Sequence, residues 1–154
     1  MVTSMGLVRA FARLRALTPA QRRLVVQASC MALAIEAHLR IFGYSRTSAR
    51  LNRWSGAPLD LDPQHIMRLS RIASDKVLGK DRKCLRRALL AHWYLHRCGH
   101  AAELQIGYRK TDGKVIGHAW IELHGQVLGD VPEVAATYPI RMPAAQDPRQ
   151  SSAN

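Results

Sequence analysis

The chain has 154 residues, 47% apolar and 22% charged, which suits one folded domain with a genuine core and excludes a largely disordered chain. Lys and Arg number 23 against 11 Asp and Glu, a formal net charge of +12, a balance that draws in polyanions or an acidic protein partner without specifying a fold. No basic run alternates with aromatic residues and no zinc-finger spacing occurs, so nucleic-acid binding is not the expected main function.

The first 59 residues hold nine Arg, no Lys and a single acidic residue, Glu36, and read as helices. A short helix is expected over about Leu7 to Ala16. Thr18 then caps a longer one, with Pro19 at its first position and Gln21 placed to close a capping box. Leu24, Ala28, Met31, Ile35, Leu39 and Phe42 follow at steps of three and four as one apolar face, and Gly43 ends the helix. Arg22, Arg23 and Arg40 lie off that stripe. Ser45 caps a further short helix closing near Trp54-Ser55-Gly56. Asp62-Pro63 opens the next, with Ile66, Leu69 and Ala73 inward and Gly79 as its stop. Asp81 caps another, which carries Leu85, Ala88, Leu89, His92 and Leu95 on one face and terminates at Gly99.

Beyond Gly99 the helical period gives way to alternation. Leu104, Ile106 and Tyr108 alternate with Glu103, Gln105 and Gly107, a strand with one covered face. Thr111-Asp112-Gly113-Lys114 is a hairpin turn leading to a second strand, Val115 to Leu123. His124-Gly125 makes another turn, and Val127 to Asp130 starts a third strand. The expected division is a helical N-terminal region over 1–80, a helix with antiparallel strands over 81–138, and an extended or disordered tail over 139–154. The class is α+β.

Three cysteines, Cys30, Cys84 and Cys98, are an odd number and give no disulfide framework. The N-terminus lacks a signal-peptide pattern, and the longest apolar stretch, Leu24 to Ile35, is broken by Gln27 and Ser29 and too short for a bilayer. A reducing cytoplasm and no membrane partner are therefore expected, a setting that keeps a thiol usable.

Cys84 falls in the first turn of its helix, where the macrodipole and unpaired N–H groups favour a thiolate. Arg82, Lys83, Arg86 and Arg87 add positive potential, and the same N–H groups could serve an oxyanion. His118 lies in the second strand on the face opposite Ala119, Ile121 and Leu123. Asp130, just past the next turn, can lie beside His118 and hold the ring nitrogen that does not face sulfur. Nucleophile, base and orienting acid are what thiol catalysis needs. Taken singly, each residue has an ordinary reading: a buried inert thiol, a structural histidine, a turn aspartate. His92 and His96, one helical turn apart and followed by Cys98 and His100, raise a zinc reading. No glutamate follows His92 and Gly99 breaks the helix between the ligands, so neither metal nor organic cofactor is expected.

The order Cys, His, Asp on helix, strand, strand matches the papain and transglutaminase arrangement. More specifically, C-L-R-R-A-L-L-A-H-W-Y-L-H-R-C-G-H-A-A-E-L-Q-I-G-Y at 84–108 and G-H-A-W-I-E-L-H-G-Q-V-L-G-D at 117–130 resemble the lasso-peptide biosynthesis B proteins. These are leader peptidases of the transglutaminase-like cysteine protease group. The resemblance covers about residues 10–140. It implies Cys84 as nucleophile, His118 as base and Asp130 as orienting acid, with Trp120 and Glu122 in structural or substrate-binding roles. Fused B proteins also carry a winged-helix-like leader-recognition domain, for which residues 1–80 show no hairpin pattern. The resemblance then implies the stand-alone peptidase half, partnered by a lasso precursor peptide, a separate leader-recognition protein and an ATP-dependent macrolactam cyclase. Acyl transfer to an amine by the same three residues, or a non-catalytic basic binding module, remain open alternatives.

Overall fold

The computed structural model describes residues 19–53, 60–77 and 84–142. The expected helix over 7–16, the Thr18 cap, the turn at Trp54-Ser55-Gly56, Gly79, the Asp81 cap and the chain beyond 142 lie outside those residues. Helix α1 spans Pro19–Arg53 as two helical segments joined at Gly43, whose φ of 73° and ψ of −179° interrupt the helical run. The residue expected to end the first segment does so, and the second resumes almost at once. Thr47 bridges the break by donating its hydroxyl to the Gly43 carbonyl at 2.7 Å. Helix α2 spans Pro63–Val77. Asp62 caps it, accepting the His65 N–H at 3.1 Å, as Ser, Thr, Asp and Asn do at helix starts. Helix α3 spans Cys84–Arg97 and ends in paired bonds, Gly99 N–H to His96 and His100 N–H to Leu95, which satisfy two of its last carbonyls.

The core is where α1 and α2 meet one side of α3 and the sheet meets the other. Ala28, Met31, Ala32 and Ile35 from α1, Ile66, Leu69 and Ala73 from α2, and Ala119 and Ile121 from the sheet all converge on it. The period of α3 predicts one apolar face, yet Ala88 through Ala91 and Trp93 through Leu95 are all buried. Layers on both sides of the helix cover residues that a single face would leave wet. Glu36 is buried at 7% exposure and pins α1 to α3. Its carboxylate accepts Arg86 Nη2 at 2.9 Å, pairs with Arg86 Nε, and accepts Arg40 Nε at 2.6 Å.

Strands β1 (Ala102–Thr111), β2 (Lys114–Leu123), β3 (Gln126–Leu128) and β4 (Ile140–Arg141), with a short helix α4 (Val134–Thr137) before the last, complete the fold. The spatial order is β3-β2-β1-β4, and all three pairings are antiparallel. Two-residue loops join the first three strands, with Asp112-Gly113 and His124-Gly125 at positive φ, the hairpin geometry that follows strand twist. The third strand is shorter than the expected 127–130, because Gly129 at φ 71° turns the chain out of the sheet. Ile140 and Arg141, in the expected extended tail, pair with Tyr108 and Gly107.

Between Arg22 and Arg53, α1 is long and apolar enough to cross a membrane by length and composition alone, a span of which the Leu24 to Ile35 stretch is only a part. The core helix of a soluble protein meets the same test. Here one face packs against α2 and α3, while Val26, Leu33, Ile41 and Phe42 stay exposed.

Candidate active site

Cys84 is the first residue of α3 and is half-buried. The sulfur accepts hydrogen bonds from His118 and from the main-chain N–H groups of Ala119 and Leu85. The His118 bond is the chief reason that the thiol lies below its ordinary 9.0, with burial working the other way. His118 is raised above its ordinary 6.5, chiefly by the bond to Cys84 and then by Asp130, again against burial. Each partner favours the charged form of the other, which is how a thiolate–imidazolium pair forms. Of the surrounding cations named from sequence, Arg86 turns to Glu36, Arg87 approaches Asp130 at 3.9 Å, and Arg82 and Lys83 lie outside the described residues. Among the described residues, the positive charge facing the sulfur is that of His118.

Asp130 Oδ2 sits 2.8 Å from His118 Nε2, which leaves Nδ1 for the thiol. Its other oxygen accepts the Val131 N–H at 2.9 Å, so the carboxylate is held at both ends. Gly129 makes this aim possible. It lies at a φ that side chains rarely adopt, and a Cβ there would stand 2.8 Å from Met67 Cε. The chain thus leaves β3, clears α2 and delivers Asp130 above the sheet.

Trp120 and Glu122 follow His118 along the same face of β2. Trp120 is 2% exposed, and its indole N–H donates to Glu122 Oε1 at 2.9 Å. Arg141 from β4 reaches the same oxygen at 3.3 Å and lies over the Trp120 ring. These contacts join the indole, the carboxylate and the guanidinium into one cluster. It ties β4 to β2 beneath the imidazole.

Two participants escape sequence reading. Tyr138 stacks on His118, ring centroids 5.1 Å apart, and Arg109 covers its ring from another direction. Gly107, directly opposite His118 in register, makes room for it: a Cβ there would meet Tyr138 Cβ and O at 2.7 Å and Trp120 Cη2 at 2.8 Å. A glycine inside a strand, here between Ile106 and Tyr108, is a signal of close approach. It could have pointed to a covering group, though not to Tyr138.

His96 Nε2 lies 3.1 Å from the Ala102 carbonyl, and its ring packs on His92. Among the described residues no three His, Cys, Asp or Glu side chains gather as a metal set. A cavity of about 360 Å³ lies along α1, lined by Ile35, His38, Phe42, Thr47 and Leu51 among others, and holds none of the Cys84–His118–Asp130 trio.

A half-buried thiol paired to a histidine, itself held by a carboxylate, is the arrangement that acyl transfer requires. Residues 8–142 match the family described as the transglutaminase-like superfamily, a span that takes in the trio and every described element. The chain belongs to that superfamily. No curated protein and no solved structure matches it. As a transglutaminase-like domain it is α+β, with helices and a small antiparallel sheet behind an N-terminal helical region. A cysteine triad is the usual equipment of the superfamily, and peptidase and acyltransferase activity are both consistent with it.

Proposed function

We propose that this transglutaminase-like protein is a cytoplasmic cysteine peptidase that removes the leader from a lasso-peptide precursor. The observation that carries the reading is the Cys84–His118–Asp130 geometry, joined to the resemblance of 84–108 and 117–130 to the lasso B proteins. In this reading the Cys84 thiolate attacks the carbonyl joining leader to core, and protonated His118 gives its proton to the departing amine as the C–N bond breaks. The carbonyl is then a thioester on Cys84. Water, relieved of a proton by His118, adds to it, the C–S bond breaks and the leader acid departs. Asp130 keeps Nε2 occupied so that Nδ1 faces sulfur throughout.

A free amine on the core peptide is the nucleophile that an ATP-dependent macrolactam cyclase needs. The N-terminal region is helical where described, and its exposed Arg22 and Arg23 supply a basic face for an acidic leader or for a separate leader-recognition protein. Arg40 pairs with Glu36 while its side chain stays 77% exposed.

The test mixes the protein, with and without a leader-recognition protein, with a candidate precursor and follows mass. Two peptides whose masses sum to the precursor plus water are expected, and none with Cys84→Ala. Loss of ammonia with chain length conserved would instead identify acyl transfer to an amine. Equal leader release by Cys84→Ala would overturn the nucleophile, and no release by the unaltered protein would leave a basic binding module.

A further inference from the structure

Among the described residues the sheet edge beside the thiol is uncovered, and Ile106 shows which main-chain groups face it. The Ile106 carbonyl accepts the Met142 N–H at 2.9 Å, on the β4 side of β1. In an antiparallel ladder a residue's N–H and C=O point to the same side, so Ile106 and its partner Ala119 turn theirs away from each other. The Ala119 N–H therefore leaves by the far edge of β2, and there it donates to the Cys84 sulfur. Direction alternates along a strand, which sends the N–H and C=O of Gly117 and Val115 out by the same edge. β3 covers only Ile121, Glu122 and Leu123. Among the described residues nothing pairs with the edge from Lys114 to Gly117, and all four of its residues are exposed.

Free edges are usually blunted by charge, proline or a bulge. Past Lys114 this one carries β-branched Val115 and Ile116, 70% and 38% exposed, on opposite faces, then a glycine. It is built as a template for another strand. We propose that the β2 edge from Val115 to Gly117 is a substrate subsite, where an extended peptide adds as a further strand and brings its reacting carbonyl to Cys84. The proposal rests on Cys84 being the nucleophile toward peptide carbonyls. An added strand lies about 4.8 Å from β2, in line with the sulfur that already occupies the next outward N–H along the edge. Its side chains alternate between Ile116 and His118 on one face and Val115 on the other. The ligand class is an extended, proline-free segment with apolar residues next to the reacting bond.

The probe is a capped alanine–leucine hexapeptide with a central α-ketoamide, to whose ketone the Cys84 thiol adds, sulfur to carbon and proton to oxygen. Its affinity is read as protection of Cys84 from iodoacetamide, which needs no turnover. Each peptide amide is N-methylated in turn. On one side of the ketoamide, methylation of every second amide is expected to weaken protection about three- to tenfold, the loss of one hydrogen bond, and the intervening positions to change little. Val115→Pro removes one outward N–H and is expected to weaken protection to the same extent, with the iodoacetamide rate alone unchanged. A flat methylation series, or no protection at millimolar probe, would overturn the proposal whether or not Val115→Pro folds. Alternating protection in a protein that cleaves no peptide would instead keep the subsite and remove the peptidase reading.

Discussion

Tyr138 lies almost flat on the His118 imidazole, the two planes 23° apart, and reaches that position from the turn that precedes β4. It shields the face of the ring whose edges are engaged by Cys84 and Asp130. Ring contacts of this kind contribute about 0.5–1.5 kcal/mol. Tyr138→Ala is expected to lower the rate about three- to tenfold, whereas Tyr138→Phe, which keeps the ring, restores it. Comparing kcat for the two variants checks this. Equal losses would assign the effect to the hydroxyl instead.

The thiol is lowered below 9.0 and the imidazole raised above 6.5, and the sign of each fixes a pH window. Thiolate is lost as pH falls through the lowered Cys84 value. Imidazolium is lost as pH rises through the raised His118 value. Cleavage should therefore follow a bell whose limbs belong to the coupled pair. His118→Ala removes the largest cause of the Cys84 shift, so the inflection of iodoacetamide alkylation should move up toward 9.0. An inflection that stays put in this variant would show that another group sustains the thiolate.

Asp130→Asn keeps the size of the side chain and removes the charge that holds Nε2. Both a raising influence on His118 and control of its tautomer disappear. Turnover is expected to fall roughly 10²-fold, in the range of general acid–base contributions, with KM little changed. Steady-state kinetics separates the two. A rise in KM at constant kcat would place Asp130 in binding rather than in orienting the base.

Gly107→Ala drives a methyl group into Tyr138 and Trp120 at 2.7 to 2.8 Å. Two of those contacts are backbone oxygen and a ring edge, neither of which swings aside freely. A destabilisation of about 1–3 kcal/mol, typical of overpacking, should appear in chemical denaturation. The His118 ring resonances should shift as Tyr138 is displaced. Wild-type stability with unmoved resonances would contradict the close approach.

Glu36 meets Arg86 inside the contact between α1 and α3, where its side chain is 10% exposed and that of Arg86 18%. Removing one partner of a buried pair strands the charge on the other, at about 3–5 kcal/mol. Glu36→Ala should fall near the lower end, because Arg86 has further interactions. Since Arg86 follows Cys84 by two residues, thermal melting and Cys84 alkylation should weaken together. Alkylation at the wild-type rate in a destabilised variant would show that α3 holds its N-terminus without α1.

Much of this arrangement is legible in sequence because it is written in local chemistry. Gly43 interrupts α1, Asp62-Pro63 opens α2, Gly99 closes α3 and Asp112-Gly113 turns the hairpin, each through backbone preferences carried by one or two residues. Cys84, His118 and Asp130 could be brought together on paper because a helix start, a strand face and a turn each restrict where a side chain can go. What stays hidden is contact between distant segments. Tyr138 has no local pattern that names His118 as its neighbour, and nothing near Arg86 points back fifty residues to Glu36. The burial of α3 on both sides is hidden for the same reason, since a period reports one face and not how many layers surround it.

The short strand β4 has a consequence for the history of each molecule. Cys84 leaves the ribosome well before His118 and Asp130, and Tyr138 and Arg141 emerge last of the groups that frame the imidazole. A nascent chain therefore carries Cys84 without its partners until His118 and Asp130 have followed. The frame around the imidazole is completed only when β4 docks beside Gly107, so Tyr138 and Arg141 close around a Cys84–His118–Asp130 arrangement drawn from earlier in the chain.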